Sequence, residues 1–128
     1  MALASQLKGC KVLVVEDEYL IAWDISNTLE AAGATVIGPS GRLSDALDLL
    51  ETHNDITAAV LDIRLHGVLV FPIADILEAR GIPFVFTSGC DSREIPKGYR
   101  KAAHCQKPVG PAELLRTLAE QMALRTAA

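Results

Sequence analysis

Short apolar runs alternate along the chain with stretches in which apolar residues recur every three to four positions. Each pattern predicts one element. The run Val12–Val15 predicts a first strand, and Ile21, Ile25 and Leu29 predict a helix from about Tyr19 that stops near Gly33. Thr35 to Ile37 predicts a second strand ended by Gly38-Pro39, after which Ser44 is expected to cap a helix carrying Leu47 and Leu50. Ala58–Leu61 predicts a third strand. A helix from about Pro72 with Ile73, Ile76 and Leu77 then ends at Gly81. Pro83 to Phe86 and His104–Gln106 predict two more strands, and the last helix starts at Pro111 with Leu114, Leu115, Leu118 and Met122 facing inward. Five strands and about five helices in strict alternation imply an α/β fold with a parallel sheet. We read residues 1–128 as one domain with a core from about 10 to 124, because no repeat or Gly/Ser-rich linker divides the chain.

Composition narrows the class. Half of the 128 residues are apolar, which is enough to bury one core, and the net charge is −4. A mildly acidic chain lacks the basic footprint that nucleic-acid binding requires, so no nucleic-acid partner is expected. No apolar run is long enough for a membrane span, and Met1 to Gly9 does not read as a signal peptide. The three cysteines, Cys10, Cys90 and Cys105, are widely spaced and suit a reducing cytoplasm as small apolar residues. His53 and His66 read as surface-loop residues without a ligand role, and Trp23 as a packing or partner contact.

Ligands of open parallel sheets bind beyond the carboxyl ends of the strands. Strand one runs into Glu16 and Asp17, strand three into Asp62, strand four into Thr87 and Ser88, and strand five into Lys107. Each alone has an ordinary role: an acid can cap a helix, a hydroxyl can end a strand, a lysine can be solvated. Their coincidence on one edge carries the functional reading. Like charges ~4 Å apart cost on the order of 4 kcal/mol per pair at an effective dielectric of ~20, so three carboxylates either raise a pKa or bind a cation. Oxygen-only ligands favour a hard ion such as Mg²⁺. A metal, a carboxylate, a hydroxyl and an ammonium together form the set used in phosphoryl transfer.

The blocks VLVVEDE, LDIRL, FTSG and QKP, in this order, resemble the signature blocks of response-regulator receivers from about Lys11 to Leu124. The resemblance implies a flavodoxin-like, doubly wound five-stranded parallel sheet of order 2-1-3-4-5. It implies Asp62 as phosphoacceptor, and Glu16, Asp17, Asp62 and the backbone carbonyl of Arg64 as Mg²⁺ ligands. Lys107 is implied as the phosphate-binding lysine, followed by a cis bond to Pro108, and Ser88 as the switch hydroxyl, with Thr87 open as the alternative. His104 stands where many receivers carry a switch aromatic. The stretch GIPFVFTSG resembles the subgroup with a Phe-Ala-Thr-Gly block, which works with HWE-type histidine kinases. The loop after Asp62 reads RLHG where commoner receivers carry Met-Pro.

The implied partners are a histidine kinase or histidine phosphotransfer protein and an unknown downstream protein. Two other functions compete with this one. An aspartate-nucleophile phosphatase needs a second aspartate two residues after the nucleophile, where Arg64 stands, so no turnover enzyme is expected. A degenerate receiver would act only as an interaction domain, against the retained Glu16, Asp17, Asp62 and Lys107. The segment from Gly89 to Ala103 is expected to be a short or irregular helix that reorganises on phosphorylation. Pro96 and Gly98 disfavour a helix interior by ~3 and ~1 kcal/mol, and Ile95 and Tyr99 are its only large apolar residues.

Overall fold

The computed structural model describes residues 6–89, 97–99 and 102–127. In chain order the elements are β1 (Lys11–Val15), α1 (Tyr19–Ala31), β2 (Thr35–Ser40), α2 (Leu43–Thr52), β3 (Ala58–Asp62), β4 (Arg64–Leu65), β5 (Val68–Leu69), α3 (Phe71–Ala79), β6 (Phe84–Ser88), β7 (Ala103–Gln106) and α4 (Pro111–Ala127). Five strands form one parallel sheet of order β2-β1-β3-β6-β7, while β4 and β5 pair as a separate antiparallel hairpin. With the hairpin set aside this is the expected order 2-1-3-4-5.

Strands β3 and β6 are buried along their whole length and β1 nearly so. That is why they read as unbroken apolar runs rather than as alternating ones. The two faces of the sheet carry separate cores. Leu13, Leu61 and Phe86 pack with Ala46 and Leu50 of α2 and with Ile73 and Leu77 of α3. Val14, Val60 and Val85 pack with Ile25 and Leu29 of α1 and with Leu114 and Leu118 of α4. Burying each such side chain contributes about 1.5–3 kcal/mol relative to leaving it in water.

The expected stop of α1 is found in detail. Gly33 has φ +98°, its N–H donates to the carbonyl of Glu30, and the N–H of Ala34 donates to that of Leu29. This pair of bonds is the Schellman closure, which needs a left-handed residue at Gly33. Gly81 closes α3 in the same way, through its own N–H to Glu78 and that of Ile82 to Leu77.

Several expectations need correction. Ser44 does not cap α2: the cap position is Arg42, no side chain caps it, and the helix already includes Leu43. The second strand does not end at Gly38-Pro39 but runs to Ser40, because β2 is an edge strand and proline's missing N–H is tolerated there. The pairing takes up one extra residue, since Leu13 faces Ile37 but Val15 faces Ser40. Four α-helices are present among the described residues, and the fifth expected one falls in the segment from Gly89 to Ala103. Most of the expected output segment lies outside the described residues. Within it, Lys97–Tyr99 form a single 3₁₀ turn, and Tyr99 is better anchored than its sequence implied. Its ring stacks on Phe71 at 4.8 Å and meets Phe86 edge-on at 5.9 Å.

The extension of β2 matters to the site, because the N–H of Glu16 donates to the carbonyl of Ser40 at 2.9 Å. Gly38 makes it feasible: at φ +100°, a Cβ there would lie 2.9 Å from both Val14 O and Ser40 N. Gly38→Ala is therefore expected to destabilise the chain by about 2 kcal/mol or more, read as a lower urea midpoint at unchanged slope.

Candidate functional site

Strand order brings the functional side chains to one edge. β1 and β6 flank β3, so Glu16 and Asp17 arrive on one side of Asp62, and Thr87 and Ser88 on the other. Past the strand ends the backbone stays pinned. The N–H of Ile63 donates to Thr87 O at 3.1 Å, and that of Lys107 to Ser88 O at 2.8 Å. The bond from Lys107 to Pro108 is cis, as expected.

Lys107 Nζ lies 2.8 Å from Glu16 Oε1, 3.2 Å from Asp62 Oδ2 and 3.9 Å from Glu18 Oε1. The other oxygen of Glu16, Oε2, accepts the N–H of Glu18 at 3.1 Å. Asp17 Oδ2 accepts the backbone N–H of His66 at 2.7 Å. Glu16, Asp17 and Asp62 each offer an oxygen within 4.8 Å of the others. Glu16 and Asp62 are only 3% and 5% exposed.

Burial dominates the titration of the pair. It pushes Glu16 up to about 7, against the pull of Lys107 and with the push of Asp62. It raises Asp62 as well, which Glu16 and Lys107 only partly offset. Burial is the largest single influence on Asp17 and pushes its carboxyl up, but the His66 N–H, the nearby His66 ring and the contacts with Asp62 and Glu16 together outweigh it and leave that carboxyl below its usual range. Burial alone would make the Lys107 ammonium easier to deprotonate. Its contacts with Glu16 and Asp62 outweigh that and hold it charged.

A cleft of about 330 Å³ opens over this cluster, lined by Asp17, Asp62, Arg64, His66, Ser88 and Lys107 among others. The structure thus gathers Asp17, Asp62, Arg64, Ser88 and Lys107 at one opening, with Glu16 beneath them in contact with Lys107. Thr87 is not among the lining residues. It is fully buried, and its hydroxyl has no hydrogen-bond partner among the described residues. His104 also stands away from the cleft, in β7 opposite Phe86, with Nε2 buried and without a hydrogen-bond partner among the described residues. Burial lowers the pKa of its ring.

Two contributors were missed by sequence reasoning. Glu18 supplies an N–H to Glu16 and a distant carboxylate to Lys107. His66, read as a bland loop residue, supplies the N–H on Asp17. The signal for His66 was the pair His66-Gly67 between the apolar Leu65 and Val68-Leu69, a two-residue hairpin pattern.

The fold, together with a relative more than 30% identical that the chain covers almost end to end, places the chain in the response-regulator receiver family, to which it belongs. That relative is SdrG from Sphingomonas melonis Fr1, 34% identical over 88% of this chain and 96% of SdrG, with a TM-score of 0.79. A response regulator receiver protein from Sinorhizobium medicae WSM419 shares the fold at 24% identity, over 93% of this chain and 98% of that one, with a TM-score of 0.82. The response regulator PhyR from Brucella abortus does so at 24% identity over 98% of this chain, with a TM-score of 0.82, and the chain spans 53% of its length. No family model and no curated protein matches the chain. No helix among the described residues is long and apolar enough to cross a membrane.

Proposed function

We propose that the chain is a phosphoacceptor response regulator of a two-component system. Asp62 takes a phosphoryl group from a histidine of a kinase or of a histidine phosphotransfer protein. The observation that carries this reading is the buried Asp62 carboxylate at the end of the central strand, 3.2 Å from the Lys107 ammonium and open to a polar cleft. In the transfer an Asp62 oxygen forms the new P–O bond as the donor's P–N bond breaks, and the leaving imidazole takes up a proton. Lys107 neutralises charge on the phosphoryl oxygens. Ser88, which lines the cleft, is the hydroxyl placed to follow the phosphoryl group, and Thr87 is the weaker candidate. The resemblance of GIPFVFTSG to the Phe-Ala-Thr-Gly block supports an HWE-type kinase as the donor, and a partner protein reads the resulting change of shape.

The acid cluster fits a divalent cation. Its donors are oxygens only, they converge within 4.8 Å, and two of the three are buried. Asp17, Asp62, Glu16 and the Arg64 carbonyl would hold Mg²⁺. When bound, it would neutralise the equatorial phosphoryl oxygens. Asp17→Ala is expected to weaken Mg²⁺ binding at least ~10-fold, while the cation-free protein becomes somewhat less stable at neutral pH, because the fold favours the charged Asp17 and the His66 N–H loses its acceptor. Calorimetry and the fluorescence of Trp23 on α1 would check both.

Arg64 stands two residues after Asp62, where a phosphatase of the aspartate-nucleophile type needs its second acid. The proposed chemistry therefore stops at the acyl phosphate, apart from slow self-hydrolysis. Incubation with Mg²⁺ and acetyl phosphate tests this. One base-labile phosphoryl group per chain at Asp62 supports the reading. Continuous phosphate release would indicate a phosphatase, and neither labelling nor Mg²⁺ binding would indicate a degenerate interaction domain.

A further inference from the structure

The turn that closes the β4–β5 hairpin reaches into the acid cluster. Leu65 pairs with Val68, so His66 and Gly67 form a two-residue loop. Their φ values are 49° and 81°, the left-handed pair of a type I′ turn. Position one of such a turn suits asparagine or glycine, and a side-chain-bearing residue other than these accepts some strain there. His66 is the non-glycine residue with positive φ among those described. Its backbone N–H is the donor to Asp17 Oδ2, 49 positions away in sequence. Local strain kept at a functional edge points to a role for the contact it makes.

The acids are held by two clamps. Lys107 grips Glu16 and Asp62, and the His66 turn grips Asp17. We propose that His66 is a positioning residue for Asp17: its backbone N–H fixes the carboxylate beside Glu16 and Asp62, the acids with which it would hold a cation. This rests on the phosphoacceptor reading above. A carboxylate fixed before the cation arrives spares the side-chain entropy that binding would otherwise cost. The imidazole has a lesser part, since it is largely exposed and its Nδ1 is 3.8 Å from the same oxygen.

The test is Mg²⁺ titration of the whole chain and three variants. His66→Asn and His66→Gly keep the N–H and tolerate positive φ, so both bind Mg²⁺ within about twofold of the parent. His66→Pro removes the N–H and excludes positive φ. It loses about 10–100-fold in affinity, the range for outer hydrogen bonds to metal ligands. The loss appears in the Mg²⁺ concentration for half-maximal labelling of Asp62, with labelling at saturating Mg²⁺ retained. Because proline also disrupts the turn, amide hydrogen exchange gives a second reading. The His66 amide is protected in the parent chain and loses that protection in Asp17→Ala. An unprotected His66 amide in the parent, or parental affinity in His66→Pro, overturns the proposal. So does a loss in His66→Asn equal to that in His66→Pro, since it would move the role to the imidazole. A parent chain that binds no Mg²⁺, yet shows the Asp17-dependent protection, overturns the phosphoacceptor reading instead.

Discussion

Asp62→Asn is expected to abolish acyl-phosphate labelling and to leave the sheet intact. The amide has the volume of the acid but no nucleophilic oxygen, so phosphoryl transfer stops while packing persists. Its carbonyl oxygen can still accept from Lys107, which lies 3.2 Å from Asp62 Oδ2 and 2.8 Å from Glu16 Oε1. Removing one of three crowded charges also relieves repulsion of Glu16 and Asp17. The cation-free variant is therefore expected to match the parent or to gain about 1 kcal/mol. Mass spectrometry after treatment with acetyl phosphate locates any label, and urea unfolding reads the stability. A label retained on another residue of the variant would reject Asp62 as the acceptor.

Lys107→Ala is expected to be the most destabilising change at the site when no cation is bound. The lysine side chain is only 12% exposed and sits between two buried carboxylates. Deleting one partner of a buried ionic group costs about 3–5 kcal/mol, because the charge left behind is uncompensated. Protonation limits the loss here. Burial already holds Glu16 at about 7, and without the ammonium its pKa rises further. An acid whose native pKa exceeds its unfolded value binds more protons when folded, so stability falls as pH rises between the two. The variant should thus be weakest above pH 7 and recover as pH drops toward 4.5, the ordinary value for Glu16. Mg²⁺ should restore it more than it stabilises the parent, since a ligand at about 100 times its Kd adds about 2.7 kcal/mol. Thermal melts across pH, with and without Mg²⁺, give the comparison. A variant as stable as the parent at pH 8 would show that Lys107 does not hold the acids together.

Which parts of this architecture were legible depends on how local their causes are. The buried strands β1, β3 and β6 show as apolar runs because both sides of each are covered. The stops at Gly33 and Gly81 show because a left-handed backbone strongly selects glycine. The edge strand β2 was cut short because Gly38-Pro39 looks like a break, and only its place at the sheet edge makes it tolerable. The hairpin was missed because strands of two residues have no period to detect. At the site, Glu16, Asp17, Asp62, Ser88 and Lys107 were legible because parallel strands deliver their ends to one edge. The contact of His66 with Asp17 was not, since it joins residues brought together only by the closed fold.

The alternation of side chains along β6 gives the sheet a directional bias. Val85 belongs to the core under α1 and α4, and Thr87 shares its side of the strand. Phe86 belongs to the core under α2 and α3, and Ser88 follows it on that side, as His104 does across the ladder. Beyond Phe86 on this side stand Phe71, the first residue of α3, and Tyr99, ring against ring. A displacement of Ser88 toward Asp62 would therefore work like a lever with one loaded arm. Its strain would fall on the aromatic stack of Phe86, Phe71 and Tyr99, while the opposite core, floored by Val60 and Val85, would act as the fulcrum.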